Sequence, residues 1–161
     1  MKRTLSAAML SMLPALAAAQ GVVMQRNVSL PMAKAIAEAT LAACKAKGFN
    51  TAAAVVDRAG EVLVLMRDEQ ATPQVGEMAR RKAYTARMFR VPTSEFQKRT
   101  ADASAGNAAQ RDLADILALS GGMPIKVGEE TIGAVGSAGS NLEMDEACAK
   151  AGIDHVAQLL K

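Results

Sequence analysis

Two strand-like segments joined by a tight turn constrain the fold of this chain more than any other feature. The segments 52–56 and 61–66 are almost wholly apolar and contain β-branched valines. Asp57-Arg58-Ala59-Gly60 joins them, and Gly60 can adopt the positive φ that a tight turn needs. The sequence therefore predicts an antiparallel hairpin. Both segments are apolar enough that we expect them in the centre of a sheet.

Helical patterns surround this hairpin. Ser29 followed by Leu30-Pro31 is typical of a helix start, and apolar residues then recur at helical spacing as far as Cys44. A second helix is predicted from Thr72-Pro73 to Phe89. The remaining predicted elements are a short helix beginning at Thr93 or Ser94, a helix over 112–119, strands over 125–127 and 131–135, and a last helix from about Met144. Mixed helices and strands in a chain this short predict one α/β domain with one core.

The first 19 residues have the organisation of a secretory signal peptide. Lys2 and Arg3 are followed by an apolar stretch over 5–16 and by Ala17-Ala18-Ala19, an A-x-A cleavage site. The apolar stretch is too short to span the roughly 30 Å hydrocarbon core of a membrane, and no later stretch is long and apolar enough to do so. An ordinary N-terminal helix is the alternative. We expect cleavage after Ala19, a single mature domain over 20–161, and a periplasmic or secreted product.

Charge and aromatic content argue against nucleic acid as a partner. The formal net charge is +3, and removal of Lys2 and Arg3 lowers it to +1. The chain has one tyrosine and three phenylalanines, too few for a platform on which bases stack. We therefore expect no nucleic-acid partner.

Cys44 and Cys148 are the two cysteines of the chain. An oxidising compartment permits a disulfide between them, and closing so long a loop can stabilise the fold by up to about 4–5 kcal/mol. Two buried free thiols are the alternative, and the sequence alone does not decide between them.

A single histidine excludes zinc sites built on two or three histidines. His155 lies opposite the Val156/Leu160 face of the last helix, so its ring is either simply exposed or free to ligate iron. We assign no catalytic residue.

Lys82 is out of place in the second predicted helix. It falls within the apolar stripe that Val75 and Ala86 mark, where an unpaired charge is costly. Its amine must therefore reach solvent, pair with a carboxylate such as Asp57 or Asp68, or meet an anionic ligand.

Several segments, in order along nearly the whole mature chain, resemble the GlcG/HbpS family of haem-binding proteins. The hairpin at 54–63 is similar to that family's "VVD-x-x-G-x-L" pattern. Further similar segments lie at 67–68, 81–86, 121–125, 132–136, 145–146 and 151–152. The resemblance implies a profilin-like α/β sandwich with an antiparallel sheet of about five strands, covered by helices and assembled into a homo-oligomer.

The resemblance also implies a haem or related tetrapyrrole ligand. An apolar slot is expected from Met78, Phe89 and Met123, and cations for the two propionates from Arg67, Lys82 and Arg87. The axial ligand is left open among His155, Tyr84, a methionine, and an oxygen such as that of Thr93.

Two other functions fit the sequence. One is an enzyme that acts on haem or on a small organic acid, with Lys82 as a base and Asp57 or Asp145 as its partner. The other is an oligomeric accessory or signalling protein that acts through its surface.

Overall fold

Helices and strands alternate along the chain in the computed structural model, which describes residues 21–104 and 106–161. The elements are α1 Leu30–Lys45, β1 Ala52–Val56, β2 Val62–Arg67, α2 Gln74–Phe89, α3 Thr93–Arg99, β3 Gly122–Val127, β4 Glu130–Ala138 and α4 Leu142–His155. Short 3-10 turns lie at Ala108–Asp112 and Ala157–Leu159. No helix in the described part of the chain is both long and apolar enough to cross a membrane. The predicted signal peptide over 1–19 lies outside the described residues and stays a prediction.

The strands form an antiparallel sheet in the order β2-β1-β4-β3. The predicted hairpin is confirmed: Gly60 has a φ of +92°, and Asp57 Oδ1 accepts bonds from the amides of Ala59 and Glu61. The described residues contribute four strands where about five were expected. The expectation that β2 is central was wrong, because it lies at the edge of the sheet, where Val62 and Leu65 are 43% and 46% exposed.

Helices cover both faces of this sheet, so the expected α/β sandwich is confirmed. Every residue of β1 is buried, because Ala53 and Val55 pack toward α1 and α4 while the alternate residues pack toward α2. The α2 layer consists almost entirely of alanines, which lets the helix lie close to the sheet. A Cβ on Gly136 of β4 would lie 2.1 Å from the carbonyl oxygen of Ala79.

A disulfide between Cys44 and Cys148 joins α1 to α4, so the two cysteines are bonded and are not free thiols.

The predicted start of α1 is confirmed. Ser29 is the N-cap, and its hydroxyl accepts a 3.3 Å bond from the amide of Met32.

The predicted helix over 112–119 is wrong. This segment is irregular, and three of its polar groups bond to side chains of α2. Asp115, at a φ of +65°, accepts from Arg80, the carbonyl oxygen of Ile116 accepts from Arg81, and the amide of Leu117 donates to Thr85. Tertiary contacts therefore replace the backbone bonds that a helix would make.

Candidate functional site

Lys82 and Asp145 form a buried ion pair where α2, β4 and α4 meet. The Lys82 amine donates to Asp145 Oδ2 at 2.7 Å and to the carbonyl oxygen of Ser137 at 3.0 Å. Asp145 Oδ1 accepts from the amide and the hydroxyl of Ser140 at 3.0 and 2.6 Å. Lys82 is 0% exposed and Asp145 is 2% exposed. Both charged groups therefore have protein partners.

This geometry corrects the expectation that Lys82 meets a ligand. The alternative that Lys82 pairs with a carboxylate inside the fold is confirmed, but the partner is Asp145 and not Asp57 or Asp68. Gly121 closes the pair from outside: a Cβ there would lie 2.9 Å from the Lys82 amine. Burial lowers the pKa of Lys82, and the hydrogen bond that its amine donates to Asp145 opposes that shift. The Lys82 amine is thus held by two protein acceptors inside the fold.

A surface cavity of about 690 Å³ lies between α3, α4 and the start of β3. We call it the α3–α4 cavity. Its size is that of a typical small-molecule site. Its walls combine apolar surface with a few charged and hydroxyl groups from Ser94, Gln97, Lys98, Ala101, Ser120, Met123, Glu143, Glu146, Ala147 and Lys150.

Glu146 is the most constrained polar group of this cavity. The hydroxyl of Ser120 donates to its Oε2 at 2.5 Å, and the hydroxyl of Ser94 donates to its Oε1 at 2.9 Å. Three elements are thereby joined at one carboxylate: α3 through Ser94, the approach to β3 through Ser120, and α4. The carboxylate is fixed in place and half-buried.

Two cations line the same cavity. Lys98 is exposed near the end of α3, and Lys150 is exposed on α4, where its amine bonds Asp154 at 2.6 Å. Glu143 adds an exposed carboxylate on α4. The cavity therefore offers both signs of charge around an apolar centre.

Of the residues expected to form an apolar slot, Met123 alone lines the α3–α4 cavity. Met78 packs against the alanine-rich core under α2. The ring of Phe89 contacts that of Phe96, with centroids 4.2 Å apart, beneath the guanidinium of Arg99. The structure does not bring these three side chains to one site.

The remaining predicted contacts are also dispersed. Arg67 is exposed and donates to the carbonyl oxygens of Asp68 and Ala71, so it organises the loop before α2. Tyr84 packs over Gly60 of the hairpin turn, where a Cβ would lie 3.0 Å from its ring.

Thr93 is buried and accepts a 2.8 Å bond from the amide of Gly122. Its hydroxyl therefore holds α3 against β3 and does not line the α3–α4 cavity. It also does not cap α3, and Ser94 bonds to Glu146 instead of serving as the alternative cap.

His155 is exposed at the end of α4, as its helical position predicted. It lines a separate groove between α1 and α4 together with Glu38 and several alanines. Within residues 21–104 and 106–161, no group of three or more histidine, cysteine, aspartate or glutamate side chains is arranged to hold a metal ion. Iron ligation by His155 remains a prediction.

Sequence reasoning overlooked one signal that leads to the cavity. Glu143, Glu146, Ala147 and Lys150 recur at intervals of three and one residues, the spacing of one face of a helix. That spacing alone predicts a shared surface on α4. Ser94 and Ser120, in contrast, join Glu146 only through the tertiary fold.

The chain is similar to proteins of one family over most of its length. A family model described as "Haem degrading protein HbpS-like" matches residues 28–154. An uncharacterized 15.0 kDa protein in the dhaT-dhaS intergenic region of Citrobacter freundii is 28% identical over 134 residues, which are 83% of this chain and 94% of that protein.

The chain is also similar to solved structures. A double mutant of HbpS from Streptomyces reticuli is 33% identical, covers 89% of this chain and 97% of its own, and superposes with a TM-score of 0.79. A PduOC:Heme complex is 21% identical, with coverage of 80% and 94% and a TM-score of 0.72. The second similarity is one of fold.

Proposed function

Because this chain belongs to the HbpS-like family of haem-degrading proteins, we propose that it binds haem, and that the α3–α4 cavity holds it. The residues that line this cavity support it as the position of the haem. It joins a methionine and alanine surface to two lysines within a domain of the family's fold. A protein of similar fold, PduOC, has been solved in complex with haem.

The residues of the cavity fit the chemistry of haem. A flat macrocycle is held mainly by apolar contact, which Ala101, Met123 and Ala147 can provide. The propionates need cations, and Lys98 and Lys150 are available at the same cavity. Met123 has a thioether of the kind that ligates haem iron in cytochromes c.

Charge limits the strength of this site. Glu143 and Glu146 offset the two lysines formally. Glu146 is restrained by its two hydroxyl donors, so its negative charge is partly compensated and fixed in position. The lysines are flexible and exposed, and each exposed ion pair contributes only about 0.2–1 kcal/mol. Apolar contact therefore has to supply most of the binding free energy.

We also propose that the protein is exported and functions in the periplasm or outside the cell. The signal-like segment over 1–19 and the disulfide between Cys44 and Cys148 support this, since disulfides persist in oxidising compartments. The mass of the protein recovered from the periplasm of a bacterial host tests it. We expect a chain that begins at Gln20. Retention of the intact chain in the cytoplasm would contradict export.

Titration of residues 20–161 with haemin, followed at the Soret band, tests the proposed ligand. We expect a saturable shift at micromolar haemin. In Lys98→Gln/Lys150→Gln we expect affinity to fall by up to about tenfold, because two propionate contacts are lost together. The control is Lys34→Gln/Lys47→Gln, which removes two exposed cations outside the cavity, one on α1 and one in the turn that follows it.

The absence of a saturable shift would refute haem binding. Equal loss of affinity in the two lysine variants would refute the assigned position, because a general loss of positive charge would then explain the result. Release of a linear tetrapyrrole when a reductant is added would indicate that the protein also degrades its ligand.

A further inference from the structure

A second, polar recess of about 350 Å³ lies away from the α3–α4 cavity and shares no lining residue with it. We call it the Arg87 recess. It forms where the segment before α1, the β1–β2 turn and the second half of α2 meet. Its lining residues are Gln25, Asn27, Asp57, Arg58, Ala59 and Arg87.

Arg87 is the unusual member of this set. Its Nε is buried and has no hydrogen-bond partner among the residues that the structure describes. Its guanidinium makes no ion pair with any described carboxylate, whereas Arg80 on the same helix pairs with both Glu77 and Asp115. A buried donor left unsatisfied costs about 1–3 kcal/mol, so an acceptor from outside the chain would be stabilised here.

The electrostatic surroundings of Arg87 favour a negative ligand. Burial lowers the pKa of its guanidinium, and the charges of Arg90 and Arg58 lower it further, while Asp57 opposes the shift. An anion beside Arg87 would relieve both the desolvation and the repulsion.

The other lining residues use more of their acceptors than of their donors in bonds within the chain. Asp57 Oδ1 accepts from the amides of Ala59 and Glu61. Asn27 Oδ1 accepts from the amides of Val28 and Arg58, which leaves the donor side of its carboxamide without a described partner. Arg58 pairs with Glu130 through one nitrogen. Donor groups therefore outnumber uncommitted acceptors.

We propose that the Arg87 recess binds the carboxylate of a small, polar organic acid. The guanidinium of Arg87 can donate two parallel bonds to a carboxylate. Arg58 is already paired with Glu130, so the charges that remain around the recess are those of Arg87, Arg90 and Asp57. One monoanion neutralises their single net positive charge, whereas a doubly charged phosphate would overcompensate beside Asp57. The lining is polar except for Ala59, which excludes a large apolar ligand such as a macrocycle.

Titration of ¹⁵N-labelled residues 20–161 with sodium acetate, at constant ionic strength, tests this proposal by NMR. We expect a saturable shift of the Arg87 Nε–H resonance with millimolar affinity. Arg87→Gln should weaken acetate binding at least tenfold, followed through the amide of Ala59. Arg87→Lys keeps the charge without the planar fork and should give an intermediate loss. Arg99→Gln is the control, because its guanidinium lies over Phe89 and Phe96 instead.

Acetate binding that is absent, or equally strong in Arg87→Gln and the parent protein, would overturn the proposal. Tighter binding of inorganic phosphate than of acetate under the same conditions would overturn the carboxylate assignment. Circular dichroism of each variant establishes that it is folded before its affinity is compared. Because haem binding depends on the other cavity, either site can fail its test while the other passes.

Discussion

Replacing Lys82 by methionine removes the amine of the buried ion pair and keeps a side chain of similar length. In the folded protein this leaves the Asp145 carboxylate, which is 2% exposed, without its counter-charge. The carbonyl oxygen of Ser137 also loses its 3.0 Å donor. Only the two bonds from Ser140 continue to stabilise the carboxylate.

Removal of one partner of a buried ion pair costs about 3–5 kcal/mol, because the other charge stays buried and uncompensated. We place Lys82→Met in this range, since neither group can reach water without displacing Gly121 or Ser137, which lie against the amine. An exposed lysine has no such neighbours. Lys126→Met, on the exposed side of β3, should change stability by less than about 0.5 kcal/mol.

Urea unfolding of the four members of a double-mutant cycle measures these values. The cycle compares the parent protein, Lys82→Met, Asp145→Asn and the double variant. The asparagine can still accept from Ser140 but carries no charge. We expect the double variant to be more stable than Lys82→Met alone, with a coupling energy of about 2 kcal/mol or more.

Two outcomes would refute this reasoning. A loss below about 1 kcal/mol in Lys82→Met would mean that the amine is not desolvated in the folded protein. A double variant with additive losses would mean that the two groups do not interact, whatever their separation.

Three further predictions concern the scaffold. Reduction of the disulfide between Cys44 and Cys148 should lower the free energy of unfolding by about 2–5 kcal/mol in urea, and two alkylatable thiols in the unreduced protein would contradict the bond. Gly136→Ala should destabilise the fold by about 3 kcal/mol, because the added methyl group would collide with the backbone of Ala79. Gly76→Ala in α2 meets only ordinary contacts and should stabilise the fold by up to about 1 kcal/mol. Equal effects of the two variants in thermal melts would contradict the close packing of α2 on the sheet. The hydrogen bond from Arg80 lowers the pKa of Glu77 below 4.5, so the stabilisation that this ion pair gives is complete above that pH and is lost as pH falls through the lowered value. Glu77→Gln should therefore flatten the loss of stability as pH falls below 4.5, and an unchanged slope would contradict this.

Local pattern was enough to predict much of this fold. The hairpin turn around Gly60 and the cap of α1 at Ser29 depend on neighbouring residues, and the structure has both. The core-facing position of Lys82 followed from helical spacing and is confirmed by its complete burial. Features that one turn or one helix face determines can be found without knowledge of the tertiary structure.

Features that depend on distant parts of the chain could not be predicted in the same way. Asp145 lies 63 residues from Lys82, and no local pattern distinguished it from Asp57 or Asp68. The edge position of β2 follows from the pairing of β1 with β4, which composition does not reveal. The segment over 112–119 is apolar enough for a helix, yet Arg81 and Thr85 bind its backbone instead.

The candidate site likewise contains some residues that the sequence indicates and others that only the tertiary structure brings together. Met123 was expected from its apolar character and does line the α3–α4 cavity, and the stripe of Glu143, Glu146 and Lys150 was visible in the sequence although it was overlooked. The two serines that hold Glu146 come from segments 26 residues apart. Only the fold brings them to one carboxylate.

Blocking the α3–α4 cavity tests most directly whether haem binds there. Ala147→Trp places an indole on the exposed face of α4 that lines this cavity, and Ala42→Trp makes the same change on an exposed position of α1, in a different groove. In haemin titrations we predict that Ala147→Trp weakens binding at least tenfold while Ala42→Trp binds as the parent protein does. Unchanged binding by Ala147→Trp would contradict the assignment of haem to this cavity.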